Sequence, residues 1–201
     1  MTDEPADTEL AIMEATFEAV CKHGYADVTM QDIADEFDKS KSLLHYHHHT
    51  KEELFGAFLE HLVDQYEEKL DDLVEGVDSP NERLREFVNW FTVGPEETER
   101  TSLHLALLEM RSQAQHNQKV REQFRRSDSL ARAAITTLIK EGQAAGSFNP
   151  DADAAALAQL CFVTMDGARA RQVTVDETGY ASEVAETLLE LIFEHLDAPG
   201  E

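Results

Sequence analysis

The chain has 201 residues, 42% of them hydrophobic and 29% charged, which suits a folded soluble protein with one sizeable core or a small domain beside a larger one. No apolar run approaches the roughly 18 residues of a membrane span, and the acidic, polar start MTDEPADTE lacks the character of a secretory signal, so a cytoplasmic protein with no membrane partner is expected. Acids outnumber bases 41 to 17, for a formal charge of −24, and they are scattered over every segment. Such a surface opposes nonspecific nucleic-acid binding at low salt, whereas molar salt screens it within about 3 Å. The composition is therefore read as that of a halophile.

Helical periodicity runs along almost the whole chain. From Thr8 to His23, Leu10, Met13, Phe17, Val20 and Cys21 recur at helical spacing, and Gly24 follows where a left-handed residue ends a helix. Thr29 opens TMQDIADEF with Asp32 three residues on, a capping pattern. A short turn and SLLHYHH follow. Thr50 then caps a long helix carrying Leu54, Phe58, Leu62, Tyr66 and Leu70 on one stripe as far as Gly76. Beyond it, helices are expected over residues 81–93, 96–114, 119–145, 152–173 and 181–196, with Gly94-Pro95, His116-Asn117, Gly146 to Pro150 and Thr178-Gly179 as punctuation. No segment alternates like a strand. The expected fold is all-α, with about nine helices. Cys21 and Cys161 make neither a disulfide framework nor a zinc spacing and read as small buried hydrophobes.

The densest chemistry is SKSLLHYHHHTKEELF, residues 40–55, which holds His45, His47, His48 and His49 of the nine histidines in the chain. A short helix, a tight turn and a second short helix behind a preceding one describe a helix-turn-helix. Its second helix, Lys41 to His47, would enter a DNA major groove with its N-terminal end at the bases. Lys39, Lys41 and Lys51 make this a basic window in an acidic region. Ser40, Ser42, Tyr46 and His47 supply donors and acceptors for phosphates and base edges.

The segment GYADVTMQDIADEFDKSKSLLHYHHHTKEELF resembles the N-terminal domain of TetR-family transcriptional regulators. Gly24, Tyr25, Thr29, Ile33, Ala34, Ser40, Leu44, His47, Lys51 and Leu54 stand where the family pattern wants them. The resemblance implies a three-helix DNA-binding domain over residues 8–52. A long helix joins it to a helical ligand-sensing and dimerisation domain over residues 53–201. It implies that Leu44 anchors the recognition helix inward and that Tyr46 and His47 hold contact positions. Lys51 would reach a backbone phosphate, with Thr29 and Gln31 touching backbone. Lys39, Lys41, Ser42 and His45 complete the expected DNA-binding set. Three positions depart from the pattern: Asp38 stands for a turn glycine, His45 for a phosphate-contacting tyrosine, and His48 for a partly buried phenylalanine, so that the His48 ring is expected to pack.

A metal reading of the histidines requires the helix to continue, bringing His45, His48 and His49 to one side. A DNA reading requires it to end near His47, where the chain turns. No acid or cysteine stands close by in the helix to complete a metal site, and no catalytic motif is present. No metal, no cofactor and no enzymatic activity are expected.

In the C-terminal part, Leu157, Leu160, Thr164, Met165 and Ala168 form one stripe, and Val184, Leu188, Leu191, Ile192 and His195 another. A filled core accounts for both. The resemblance adds a homodimer in which Leu157, Leu160, Thr164, Ala168, Val184, Leu188, Leu191 and Ile192 build a four-helix interface, and an operator of two-fold symmetry. Trp90, His104, Leu107, Met110, Arg111, Phe124, Phe162 and Met165 are the expected lining of a pocket for a small-molecule effector. The function expected is a ligand-responsive repressor on double-stranded DNA. The alternative is an all-helical sensor or partner-binding protein without useful DNA affinity.

Overall fold

The computed structural model describes residues 5–37, 40–73, 75–92, 98–175 and 179–197. Among these residues the secondary structure is helical throughout: α1 Pro5–Asp27, α2 Met30–Glu36, α3 Lys41–His47, α4 Lys51–Asp72, α5 Pro80–Thr92, α6 Thr98–Gln113, α7 Gln118–Ala144, α8 Ala154–Val175 and α9 Tyr180–Leu196. The ends of α5, α7, α8 and α9 fall within two residues of those expected from periodicity. The long helix α4 stops at Asp72, short of Gly76. No described helix is long and apolar enough to cross a membrane.

The described residues gather into two compact units. One falls within Met1–Gln65 and Glu97–Arg125, the other within Tyr66–Glu96 and Arg126–Glu201. The first thus contains α6 and the start of α7 as well as the helix-turn-helix, and the contacts do not divide at residue 52. Its core joins Ile12, Met13, Ala19 and Val20 of α1 to Leu54, Phe55, Phe58 and Leu59 of α4, Ala106 and Met110 of α6, and Val120 and Phe124 of α7. This corrects the α1 stripe. The buried face is centred on Ile12, Thr16 and Ala19, while Leu10 is exposed and Phe17 and Cys21 are half-buried. The reason is packing: α1 lies along α6 and turns Ile12, Thr16 and Ala19 into the shared core.

The second unit packs Leu84, Phe87, Val88 and Phe91 of α5 and Ile135 and Ile139 of α7 against Cys161, Phe162 and Met165 of α8 and Leu188, Leu189 and Ile192 of α9. Cys161 is buried in that core, and burial pushes its thiol up to about 12, as for a packing residue. At the end of α7, Gly146 takes a φ of 74°, and the chain folds back so that the Ser147 and Phe148 N–H groups donate to the Gly142 carbonyl. The buried Phe148 ring lies directly over Gly142, where an added Cβ would come 2.1 Å from Phe148 Cδ2.

Replacing that glycine sets two effects in opposition. Alanine in a helix interior gains about 1 kcal/mol over glycine, while overpacking a tight core costs about 1–3 kcal/mol. A 2.1 Å approach to a buried ring puts the second effect ahead. Gly142→Ala is expected to lower the denaturant midpoint; a raised midpoint would show that the Phe148 ring is free to shift.

Candidate nucleic-acid interface

The two short helices of the helix-turn-helix are defined by their caps. Thr29 and Asp32 make a full capping box at α2: Asp32 N–H donates to Thr29 Oγ1, and Thr29 N–H donates to Asp32 Oδ2 at 2.8 Å. The two donations from Thr29 hold the Asp32 carboxyl below its usual value. At α3, Ser40 Oγ accepts the Leu43 N–H, and His48 ends the helix with extended backbone while its N–H returns to Leu44 O at 2.9 Å. The Thr50 hydroxyl accepts Glu53 N–H at the start of α4.

Leu44 is fully buried and ties α3 into the core beside Ile33 and Val20. The opposite face carries Ser42, His45 and Tyr46, all exposed, with Tyr46 77% accessible. Their spacing of three and four residues puts them side by side. Thr29, Gln31 and Lys41 are exposed as well, and Lys41 Nζ donates to the Gln31 side-chain oxygen Oε1, linking α2 to α3. Lys39 and Asp38 lie outside the described residues.

Two expected contact residues have partners that spacing does not reveal. Lys51 Nζ donates to Tyr25 O at 2.6 Å and lies 4.8 Å from the Tyr25 ring centroid, so the ammonium closes the end of α1. Burial lowers its proton affinity. His47 and His48 share one carboxylate from α1: His47 Nδ1 is 3.2 Å from Glu9 Oε2, and His48 Nε2 is 3.0 Å from Glu9 Oε1. Each ring is placed to donate from that nitrogen. His48 is buried and His47 half-buried. The helix ends at His47, so His45, His48 and His49 do not share a face: His45 and His49 are exposed and His48 packs inward. Among the described residues no group of three or more His, Cys, Asp or Glu is arranged to hold a metal ion.

The residues expected to line one pocket divide between the two cores. Leu107, Met110 and Phe124 belong to the first unit, with the Arg111 guanidinium 4.5 Å from the Phe124 ring centroid; His104 of α6 is half-buried in the same unit. Trp90, Phe162 and Met165 belong to the second. There Trp90 stacks on Tyr66 with centroids 5.6 Å apart, Phe162 meets Phe91 edge-on, and Arg169 lies over Phe91. The buried Tyr66 and Thr92 hydroxyls have no hydrogen-bond partner among the described residues.

Between α8 and α9 runs an apolar groove of about 580 Å³ lined by Leu157, Leu160, Thr164, Val184, Leu188, Leu191 and Ile192. Leu160 and Leu191 are more than half exposed, while Ala168 is buried within the unit.

Two family models match the chain. That for bacterial regulatory proteins of the tetR family covers residues 12–58, and that for the BetI-type transcriptional repressor C-terminal domain covers residues 80–198. The chain belongs to the TetR family of transcriptional regulators. A TetR transcription regulator from Haloarcula marismortui is 36% identical, with 96% of this chain and all of that one aligned at a TM-score of 0.87. A protein of Saccharomonospora viridis assigned as a transcriptional regulator, solved with choline, shares the fold at 22% identity and a TM-score of 0.82 over 96% of this chain and all of its own. The regulator FadR of Bacillus subtilis, solved with stearoyl-CoA, shares it at 18% identity and 0.70 over 93% of this chain and 98% of its own. None of the curated proteins matches the chain.

Glu9 was invisible to the sequence reading because its partners lie 38 and 39 residues away, and only the packing of α1 brings it to the end of α3. Glu9→Ala leaves a ring nitrogen of buried His48 without an acceptor, a loss expected to cost about 1–3 kcal/mol. Adding His48→Phe removes the orphaned group and is expected to recover most of that loss in denaturant titrations. A double variant no more stable than Glu9→Ala alone would place the loss elsewhere.

Proposed function

We propose that the protein is a dimeric, effector-responsive repressor that reads a palindromic operator through α3 and works at molar salt. The observation that carries this reading is the division of α3 into a face locked in the core by Leu44 and a face presenting Ser42, His45 and Tyr46. Its N-terminal end points the polar residues Lys41 and Ser42 outward, the arrangement that places side chains at base edges in a major groove. Family membership supports DNA binding and repression.

A homodimer is supported by the groove between α8 and α9, where Leu160 and Leu191 expose apolar surface that a monomer leaves in water. A second copy set against the same face doubles two helices into four and relates two recognition helices by a two-fold axis. We assign the effector region to the second unit, around Tyr66, Trp90, Phe91 and Phe162. There the Tyr66 and Thr92 hydroxyls are available to a polar group, and aromatic walls take apolar surface. The choline and stearoyl-CoA of the two related structures differ widely in chemistry, so the effector is assigned no closer class than a small molecule.

The surface charge sets the conditions. A protein of charge −24 is repelled by DNA at ordinary salt, and counterion release weakens as salt rises. Base contacts, shape fit and apolar burial then carry the affinity.

Selection from a random duplex library in about 2 M KCl, with and without a zinc chelator, is expected to return one palindrome in both conditions, bound with little change in affinity down to about 0.5 M. Tyr46→Ala is expected to weaken that binding about tenfold or more without loss of helix content. Absence of any enriched sequence would leave the sensor without DNA affinity as the correct reading. Leu160→Glu with Leu191→Glu puts like charges into the proposed interface, and sedimentation is expected to show monomers where the parent is a dimer; an unchanged mass would remove the α8–α9 interface.

A further inference from the structure

The turn between α1 and α2 is gripped from two sides by residues that lie beyond the helix-turn-helix in sequence. Gly24 breaks α1 with φ 74° and ψ 164°, a region of backbone space that essentially only glycine occupies. The break frees the peptide groups of residues 25 and 26 from the helical ladder. Lys51, on α4, donates to the carbonyls of Tyr25 and Ala26. Glu109, on α6, takes the opposite pole: its Oε2 accepts the Ala26 N–H at 3.0 Å. An added Cβ on Gly24 would lie only 3.7 Å from the same oxygen, so the carboxylate sits against the kink itself. Glu109 is also within electrostatic reach of Lys51. Three residues after Ala26, Thr29 begins the capping box of α2, and α2 carries Gln31, which is hydrogen-bonded to Lys41 of the recognition helix.

We propose that Glu109 is a positioning residue for operator recognition: through the Ala26 N–H it holds the α1–α2 turn, and with it the helix-turn-helix, in the register that DNA requires. The proposal rests on the DNA-binding reading above. Its physical content is narrow. A carboxylate on α6 supplies the acceptor that the kinked backbone lacks, so α2 cannot shift along α1 without giving up a charge-assisted hydrogen bond. As a carboxylate on an acidic protein, Glu109 offers phosphate only repulsion, so any gain in operator affinity runs through the Ala26 N–H.

That opposition of signs makes the test. Glu109→Ala and Glu109→Gln each remove one negative charge, but only the glutamine keeps an oxygen that can accept the Ala26 N–H. Operator affinity is measured at about 2 M KCl, where charge effects are screened, on the palindrome retained by the parent chain. Glu109→Gln is expected to bind within about threefold of the parent and Glu109→Ala about tenfold more weakly. Amide exchange at Ala26 is expected to accelerate in the alanine variant alone. Equal affinities for the two variants, or equal tightening of both, would overturn the proposal, because Glu109 would then act only through its charge. If Glu109→Ala does not fold, Glu109→Ser, whose hydroxyl is too short to reach Ala26, replaces it in the same comparison. Failure of the parent chain to bind any palindrome is a separate result, which removes the DNA reading on which the assignment stands.

Discussion

A seven-residue helix has too few hydrogen bonds to hold itself together in water, because nucleation fixes several residues before propagation contributes. Both α2 and α3 are of that length, and the proposed recognition residues are carried on them. They persist because Ile33 and Leu44 are wholly buried in the first core and because each begins with a side-chain cap. Every other feature of that unit serves this constraint. α1 and α6 form the platform, the start of α4 supplies Leu54, Phe55 and Phe58 beneath the turn, and Glu9 closes the far end of α3 through His47 and His48.

The distribution of positive charge is unusual for a DNA-binding surface. Lys51 points its ammonium at backbone carbonyls, and Lys22, on α1, is paired with Glu36 at 2.6 Å. Lys41 is engaged with Gln31. Among the described residues, the proposed reading face offers hydroxyl, imidazole and phenol groups beside the ammonium of Lys41. Such a face has little to gain from counterion release and little to lose when salt suppresses it. The same logic accounts for acids covering the remainder of the surface: in molar salt they keep the protein hydrated without imposing long-range repulsion.

The two units use aromatic residues differently. In the first, Tyr25, Phe55 and Phe58 form an edge-to-face chain that rigidifies the support of the turn. In the second, Tyr66, Phe87, Trp90, Phe91 and Phe162 form a larger cluster that includes a hydroxyl without a partner among the described residues. A buried unpartnered donor in an otherwise well-packed core is a cost that a stable scaffold normally avoids, and this one is the observation behind the proposed effector region.

Local features were determined by the sequence alone. The helical period, the Thr29–Asp32 box, the Thr50 cap and the glycine that breaks α1 all act within a few residues, and a chain must satisfy them wherever it folds. They were enough for an all-α fold, for the helix-turn-helix and for the exposed face of Ser42, His45 and Tyr46. Only the tertiary structure decided which distant groups meet. It drew Glu9 to two histidines, Lys51 to the carbonyls of α1, and Glu109 to the Ala26 N–H. It also assigned Met110 and Phe124 to one core and Trp90 and Phe162 to the other, and turned the buried side of α1 from Leu10 toward Ile12. Periodicity records that a residue faces some core but not which one, because the hydrophobic effect is non-directional. A carboxylate finds its partner only after helix packing has set the distance.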